Sequence, residues 1–130
     1  LVKYDATAPS VNAPSPGRNP DHDGWYNHPV RIDWSGNDST SGIASCTSRT
    51  YGGPDDANAD PVGTCTDAAG NSASRDFPLD YDATGPTVTV TPARPPDHAG
   101  WYTHAFSISW SGTDVTSGID SCTPTVTYSV

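Results

Sequence analysis

A run of 27 residues occurs twice in this chain of 130. Asp21–Thr47 reads DHDGWYNHPVRIDWSGNDSTSGIASCT and Asp97–Thr123 reads DHAGWYTHAFSISWSGTDVTSGIDSCT, with 18 identical positions. Tyr4-Asp5-Ala6-Thr7 returns in the same way as Tyr81-Asp82-Ala83-Thr84. The offset is 77 residues ahead of the proline-rich stretch and 76 after it, so one residue has been gained or lost there. A period of this length implies small modules in series, each one a supersecondary unit. Leu1–Tyr4 aligns with Leu79–Tyr81, so residues 1–4 are expected to be the last strand of a preceding repeat. Residues 5–81 then make one complete repeat, and residues 82–130 the N-terminal part of a second, truncated just past its third strand.

The local pattern within the repeat is that of strands. Val30, Ile32 and Trp34 alternate with Arg31, Asp33 and Ser35, and Phe106, Ile108 and Trp110 repeat the alternation. That predicts a half-buried strand with its aromatic end in the core. Proline-bounded edge strands are expected at Val11–Ala13 and Thr87–Thr91, and a third strand near Ser45–Tyr51. Val62–Thr66 and Ser72–Leu79 read as a hairpin turned by Asp67-Ala68-Ala69-Gly70-Asn71, with weaker strand signals around Asp55–Asp60. Helix is not expected. The chain has no Glu, Gln or Met and only two Leu and one Lys, which removes the residues that lose least freedom in a helix. Six or seven short strands with Gly and Pro between them predict an all-β, two-sheet β-sandwich.

At this point the residues resemble bacterial immunoglobulin-like (Ig-like) tandem repeats of secreted and cell-surface proteins. The linkers YDATAP (4–9) and YDATGP (81–86), the WSGxDxTSGI strand and turn, and the CTDAAGN hairpin (65–71) carry the resemblance, in that order. It covers nearly the whole chain. It implies a sandwich fold, an extracellular location and a spacer, stalk or adhesive role, and it supplies no ligand. Neighbouring repeats of the same chain are then the expected partners. The same family includes large adhesins whose junctions are stiffened by calcium.

Cys46 and Cys65 fall in one repeat, on the third and penultimate strands, and are expected to form a disulfide. Cys122 is the second copy of Cys46 and is expected to be unpaired within this segment. The alternative is three buried thiols in a reducing compartment. No Cys-x-x-Cys pair suggests a metal knot.

The net charge is −9 and all fifteen acidic residues are Asp, with no basic patch, which argues against nucleic acid. No apolar run approaches membrane-spanning length. Candidate calcium ligands are Asp5 and Asp82 in the linkers, Asp38 and Asp114 in the turn after the Trp strand, and Asp67 with Asn71 in the hairpin. The competing explanation is turn chemistry, in which Asp and Asn bond nearby backbone amides. Trp25-Tyr26 and Trp101-Tyr102 are candidate contacts for a cell-surface glycan or protein, or else close the end of the sandwich. His22 with His28, and His98 with His104, lack a third zinc ligand and are expected to be structural. There is no Gly-x-Ser-x-Gly elbow, phosphate loop or His-Glu-x-x-His helix, so no catalytic residue is expected. An accessory module of a secreted hydrolase is a third role compatible with these features.

Overall fold

The alternation over Val30–Trp34 is realised as burial. Val30, Ile32 and Trp34 are inside, Arg31 is exposed and Asp33 lies between. The computed structural model describes residues 1–129, and every regular element among them is a β-strand. Contacts divide the chain into two units, Leu1–Ala83 and Thr84–Val130.

The first unit contains β1 (Ser10–Val11), β2 (Ser15–Pro16), β3 (Trp25–Tyr26), β4 (Val30–Asp33), β5 (Gly36–Asn37) and β6 (Ile43–Cys46). It continues with β7 (Ser48–Tyr51), β8 (Asp56–Ala59), β9 (Val62–Asp67), β10 (Ser72–Asp76) and β11 (Leu79–Tyr81). They form four small sheets: β1-β5, β10-β9-β6, β3-β11-β8 and β2-β4-β7. Pairing is antiparallel except that β11 runs parallel to β3. This all-β arrangement is compatible with a β-sandwich.

One expected strand is cut short and another is divided between sheets. The edge strand expected at Val11–Ala13 breaks ahead of Pro14, which has no N–H for a ladder. Ser10–Val11 pairs with β5, and Ser15–Pro16 pairs with β4. The strand expected near Ser45–Tyr51 divides at Thr47 into β6 and β7. There the Thr47 amide and hydroxyl both donate to the Thr64 carbonyl (2.9 and 3.1 Å), while the Thr47 carbonyl accepts from the Trp34 amide at 3.0 Å. Thr47 therefore faces β9 and β4 at once. The expected hairpin forms as β9 and β10, with Leu79 in the separate strand β11.

One core joins these sheets. Val30, Ile32 and Tyr51 come from β4 and β7, Tyr26, Ala59, Leu79 and Tyr81 from β3, β8 and β11, and Cys65 from β9. Tyr51 and Tyr81 meet edge to face with ring centres 5.3 Å apart. Trp34 closes the end of the core, its Nε1 donating to the Arg75 carbonyl at 2.7 Å. The indole lies so close to β9 that a Cβ on Gly63 would stand 2.1 Å from Trp34 Cδ2. Only glycine fits there. Beside it, Cys46 and Cys65 are directly opposite across the β6–β9 ladder and are bonded as a disulfide.

The second unit is a single antiparallel sheet of β12 (Thr87–Pro92), β13 (Phe106–Thr113) and β14 (Val126–Tyr128), in the order β12-β13-β14. Tyr102, Phe106 and Tyr128 stack along it, with centroids 3.8 and 5.4 Å apart. No described residue of this unit is buried.

Gly63→Ala should destabilise the first unit by about 1–3 kcal/mol through overpacking. Gly17→Ala, whose Cβ would meet only ordinary contacts at 3.5 and 3.6 Å, should be near neutral. Urea midpoints of the two variants measure the difference. Reduction of Cys46–Cys65, which spans 19 residues, should cost about 3 kcal/mol in the same assay.

Candidate metal centre

The turn that follows each Trp strand is built by an aspartate. Asp38 Oδ1 accepts the amides of Thr40, Ser41 and Gly42 at 3.0, 2.7 and 3.1 Å, with Gly42 in the left-handed region (φ 77°). Asp114 repeats this with Thr116, Ser117 and Gly118 at 3.0, 2.9 and 3.2 Å, and Gly118 at φ 78°. The Asp-x-Thr-Ser-Gly pattern therefore encodes its own loop. The β9–β10 turn is organised similarly. Asp67 Oδ1 accepts the amides of Ala69 and Asn71, both at 2.9 Å, and Oδ2 accepts Asn71 Nδ2 at 2.8 Å.

These two turns converge on the linker. One carboxylate oxygen each from Asp5, Asp38 and Asp67 lies within 4.8 Å of the others. Asn71 ties the group together, because its Nδ2 also reaches the Asp5 carbonyl at 3.3 Å. Asp67 is 2% exposed. Asp5 Oδ1 accepts the Thr7 amide at 3.0 Å, whereas its Oδ2 is buried with no hydrogen-bond partner. Turn chemistry accounts for Asp38 and most of Asp67, and it leaves that oxygen unexplained. A buried carboxylate oxygen without a donor, beside two further carboxylates, is costly unless a cation sits between them. A cleft of about 620 Å³ lined by Lys3, Tyr4, Thr40, Ser41 and Ala69 opens beside Asp5.

The protonation states suit a hard cation. Burial pushes the Asp67 carboxyl up, but the Asn71, Ala69 and Gly70 donors outweigh it and hold the group below the usual carboxylate range. Asp38 is held down by the Ser41 amide first, against burial, with Gly42 and Thr40 adding to it. Both are anionic at neutral pH, as all-oxygen coordination of calcium requires.

The structure therefore brings together four of the six residues singled out as calcium ligands, namely Asp5, Asp38, Asp67 and Asn71. Asp82 lies elsewhere, buried at the end of β11, where its amide donates to the Tyr26 carbonyl at 2.9 Å. Asp114 holds its own loop in the second unit. Of the aromatic pairs, Tyr26 is 4% exposed and donates to the Arg18 carbonyl at 3.3 Å, and Trp25 is half-buried. Tyr102 stacks on Phe106, while Trp101 is 75% exposed.

Sequence reasoning missed an arginine clamp. Arg18 pairs with Asp21 and sits 5.9 Å from the Tyr26 ring centre, and Arg94 with Asp97 and Tyr102 repeats it. The recurrence of Arg and Asp three residues apart in both copies was the available signal. His28 and His104 lie beside these same carboxylates, at 3.4 and 3.3 Å. The Arg18 hydrogen bond, then the Asn27 amide, lower Asp21 to about 2. The Arg94 hydrogen bond, then the Thr103 amide, hold Asp97 well below the usual carboxylate range. Comparison with family models, curated proteins and solved structures found no match to this chain.

Acid stability tests these assignments. Asp21, Asp38, Asp67 and Asp97 all titrate below their ordinary 3.8 in the fold. Each contributes stability that is complete above the unfolded value and disappears as pH falls through the folded one. In EDTA the melting temperature should therefore hold from neutrality to about pH 5 and fall below about pH 4. Asp21→Asn should flatten that fall. A melting temperature that rises on acidification would contradict the assignment.

Proposed function

We propose that this chain is a non-catalytic extracellular spacer or stalk, made of Ig-like repeats and stiffened by calcium where each linker meets its module. The observation that carries this reading is the convergence of Asp5, from the linker, with Asp38 and Asp67, from two turns of the module body, together with the buried Asp5 Oδ2 that has no hydrogen-bond partner. A cation there ties chain entering the module to the module itself. In such a site Asp5, Asp38 and Asp67 supply the anionic oxygens, and Asn71 orients Asp67 from the second layer. Carbonyl oxygens and water would complete the six to eight ligands calcium takes.

Other features support the same role. The Cys46–Cys65 disulfide suits an oxidising compartment. No helix among the described residues is long and apolar enough to cross a membrane. A module whose interior is filled by aromatic side chains is a rigid bead, and function then follows from reach and spacing. Adhesion through a glycan or protein contact is the runner-up, and Trp101 is the exposed aromatic that would serve it.

The test is a thermal melt with calcium and then with excess EDTA. An ion bound at one hundred times its Kd adds about 2.7 kcal/mol, a shift on the order of 10 °C for a domain of this size. Asp5→Asn and Asp67→Asn should each abolish the calcium-dependent rise, while Asp23→Asn should leave it intact. Superimposable melts with calcium and EDTA would remove the cation from this reading.

A further inference from the structure

The candidate calcium ligands and the disulfide share one short stretch of sheet. β6 begins at Ile43 and β9 ends at Asp67, and these two residues stand opposite each other in the ladder, with Cys46 opposite Cys65 along the same strands. Cys65 and Asp67 are two positions apart on β9 and both are buried, so their side chains share its inward face. The two turns that carry carboxylates leave from this end. Asp38 holds the loop that runs into Ile43 through the Thr40, Ser41 and Gly42 amides, and Asp67 holds the β9–β10 turn. The Ala68 amide then joins the turns by donating to the Gly42 carbonyl at 2.9 Å. The ladder itself is irregular here, its register shifting between Ile43 and Ser45. Cys46–Cys65 is the covalent tie that fixes how β6 lies on β9 at this irregular end, and with it how far Asp38 stands from Asp67. Asp5 comes from outside the ladder, where Asn71 Nδ2 reaches its carbonyl.

We infer that the thiol–disulfide state of Cys46 and Cys65 controls the cation site: the bond primes Asp38 and Asp67 for calcium, and bound calcium protects the bond. The inference rests on the calcium reading above and adds the regulation of that site. With the disulfide formed, the two turns are held in the arrangement that brings one carboxylate oxygen from each of Asp5, Asp38 and Asp67 within 4.8 Å of the others. With two thiols, β6 and β9 can part at this end, and binding must also order both turns. Such coupling is reciprocal, so reduction weakens calcium binding by the factor by which saturating calcium disfavours reduction. Reduction by glutathione takes two electrons and two protons from two glutathione thiols, breaks the S–S bond into two cysteine thiols and leaves one oxidised glutathione. A module then tightens onto its linker only where the surroundings are both oxidising and rich in calcium.

The test compares the full oxidised chain, with Cys122 alkylated, against the Cys46→Ser/Cys65→Ser chain treated likewise. Calorimetric titration with calcium chloride should give a Kd about tenfold weaker without the disulfide. In a glutathione buffer, saturating calcium should raise the ratio of oxidised to reduced chain about tenfold above its value in EDTA. Asp5→Asn should erase that shift, and Asp23→Asn should preserve it. Hydrogen exchange on the oxidised chain separates the coupling from general stabilisation, and decides the matter if the double variant does not fold. Calcium should slow exchange over Ile43–Cys46 and residues 65–67 more than over Val30–Asp33 on β4. Equal slowing on β4, or a Kd unaffected by the disulfide, overturns the coupling and keeps the calcium site. Failure of the oxidised chain to bind calcium at all overturns both.

Discussion

The first unit depends on the seating of Trp34 against β9. The indole covers one end of the core, and it can do so only because position 63 has no side chain and the Arg75 carbonyl meets Nε1. The same strand places Cys65 against Cys46 and receives Thr47 through its Thr64 carbonyl and amide. One strand thus supplies the floor for the largest aromatic, the covalent tie and the hydrogen bonds that let β6 pass into β7. Remove it, and the remaining sheet has an edge and an apolar face to spare.

The second unit shows this dependence within the same chain. Its sheet pairs Phe106 with Tyr128 as the first pairs Val30 with Tyr51, and its Asp114 loop matches the Asp38 loop amide for amide. What depends on neighbours in sequence is reproduced. What depends on β9 in the first unit differs here: Ile119–Cys122 is not a strand, and no described residue of the unit is buried. Strand content here is a response to partners more than an intrinsic preference of the backbone.

The candidate metal centre follows the same division. Asp38 and Asp67 are shaped by their own turns, and Gly42 and Gly70 allow those turns to close. Their residue types were visible in the sequence because Asp with a following Gly has a local structural meaning. Their meeting with Asp5 was not visible, since 33 positions separate Asp5 from Asp38 and 29 more lie between Asp38 and Asp67. The buried Oδ2 of Asp5 emerges only when all three segments are in place.

By itself the sequence determined the strand class, the alternation of β4, the β9–β10 hairpin, the pairing of Cys46 with Cys65 and the aspartate-built loops. Each of these is a matter of residue type, period or short spacing, which local sterics and hydrogen bonding read directly. Tertiary structure alone decided where the expected third strand divides, at Thr47, since there two partners compete for its backbone. It also decided which aspartates share a site. Asp5, Asp38 and Asp67 converge and Asp82 does not, because convergence depends on how turns distant in sequence are packed together by one core.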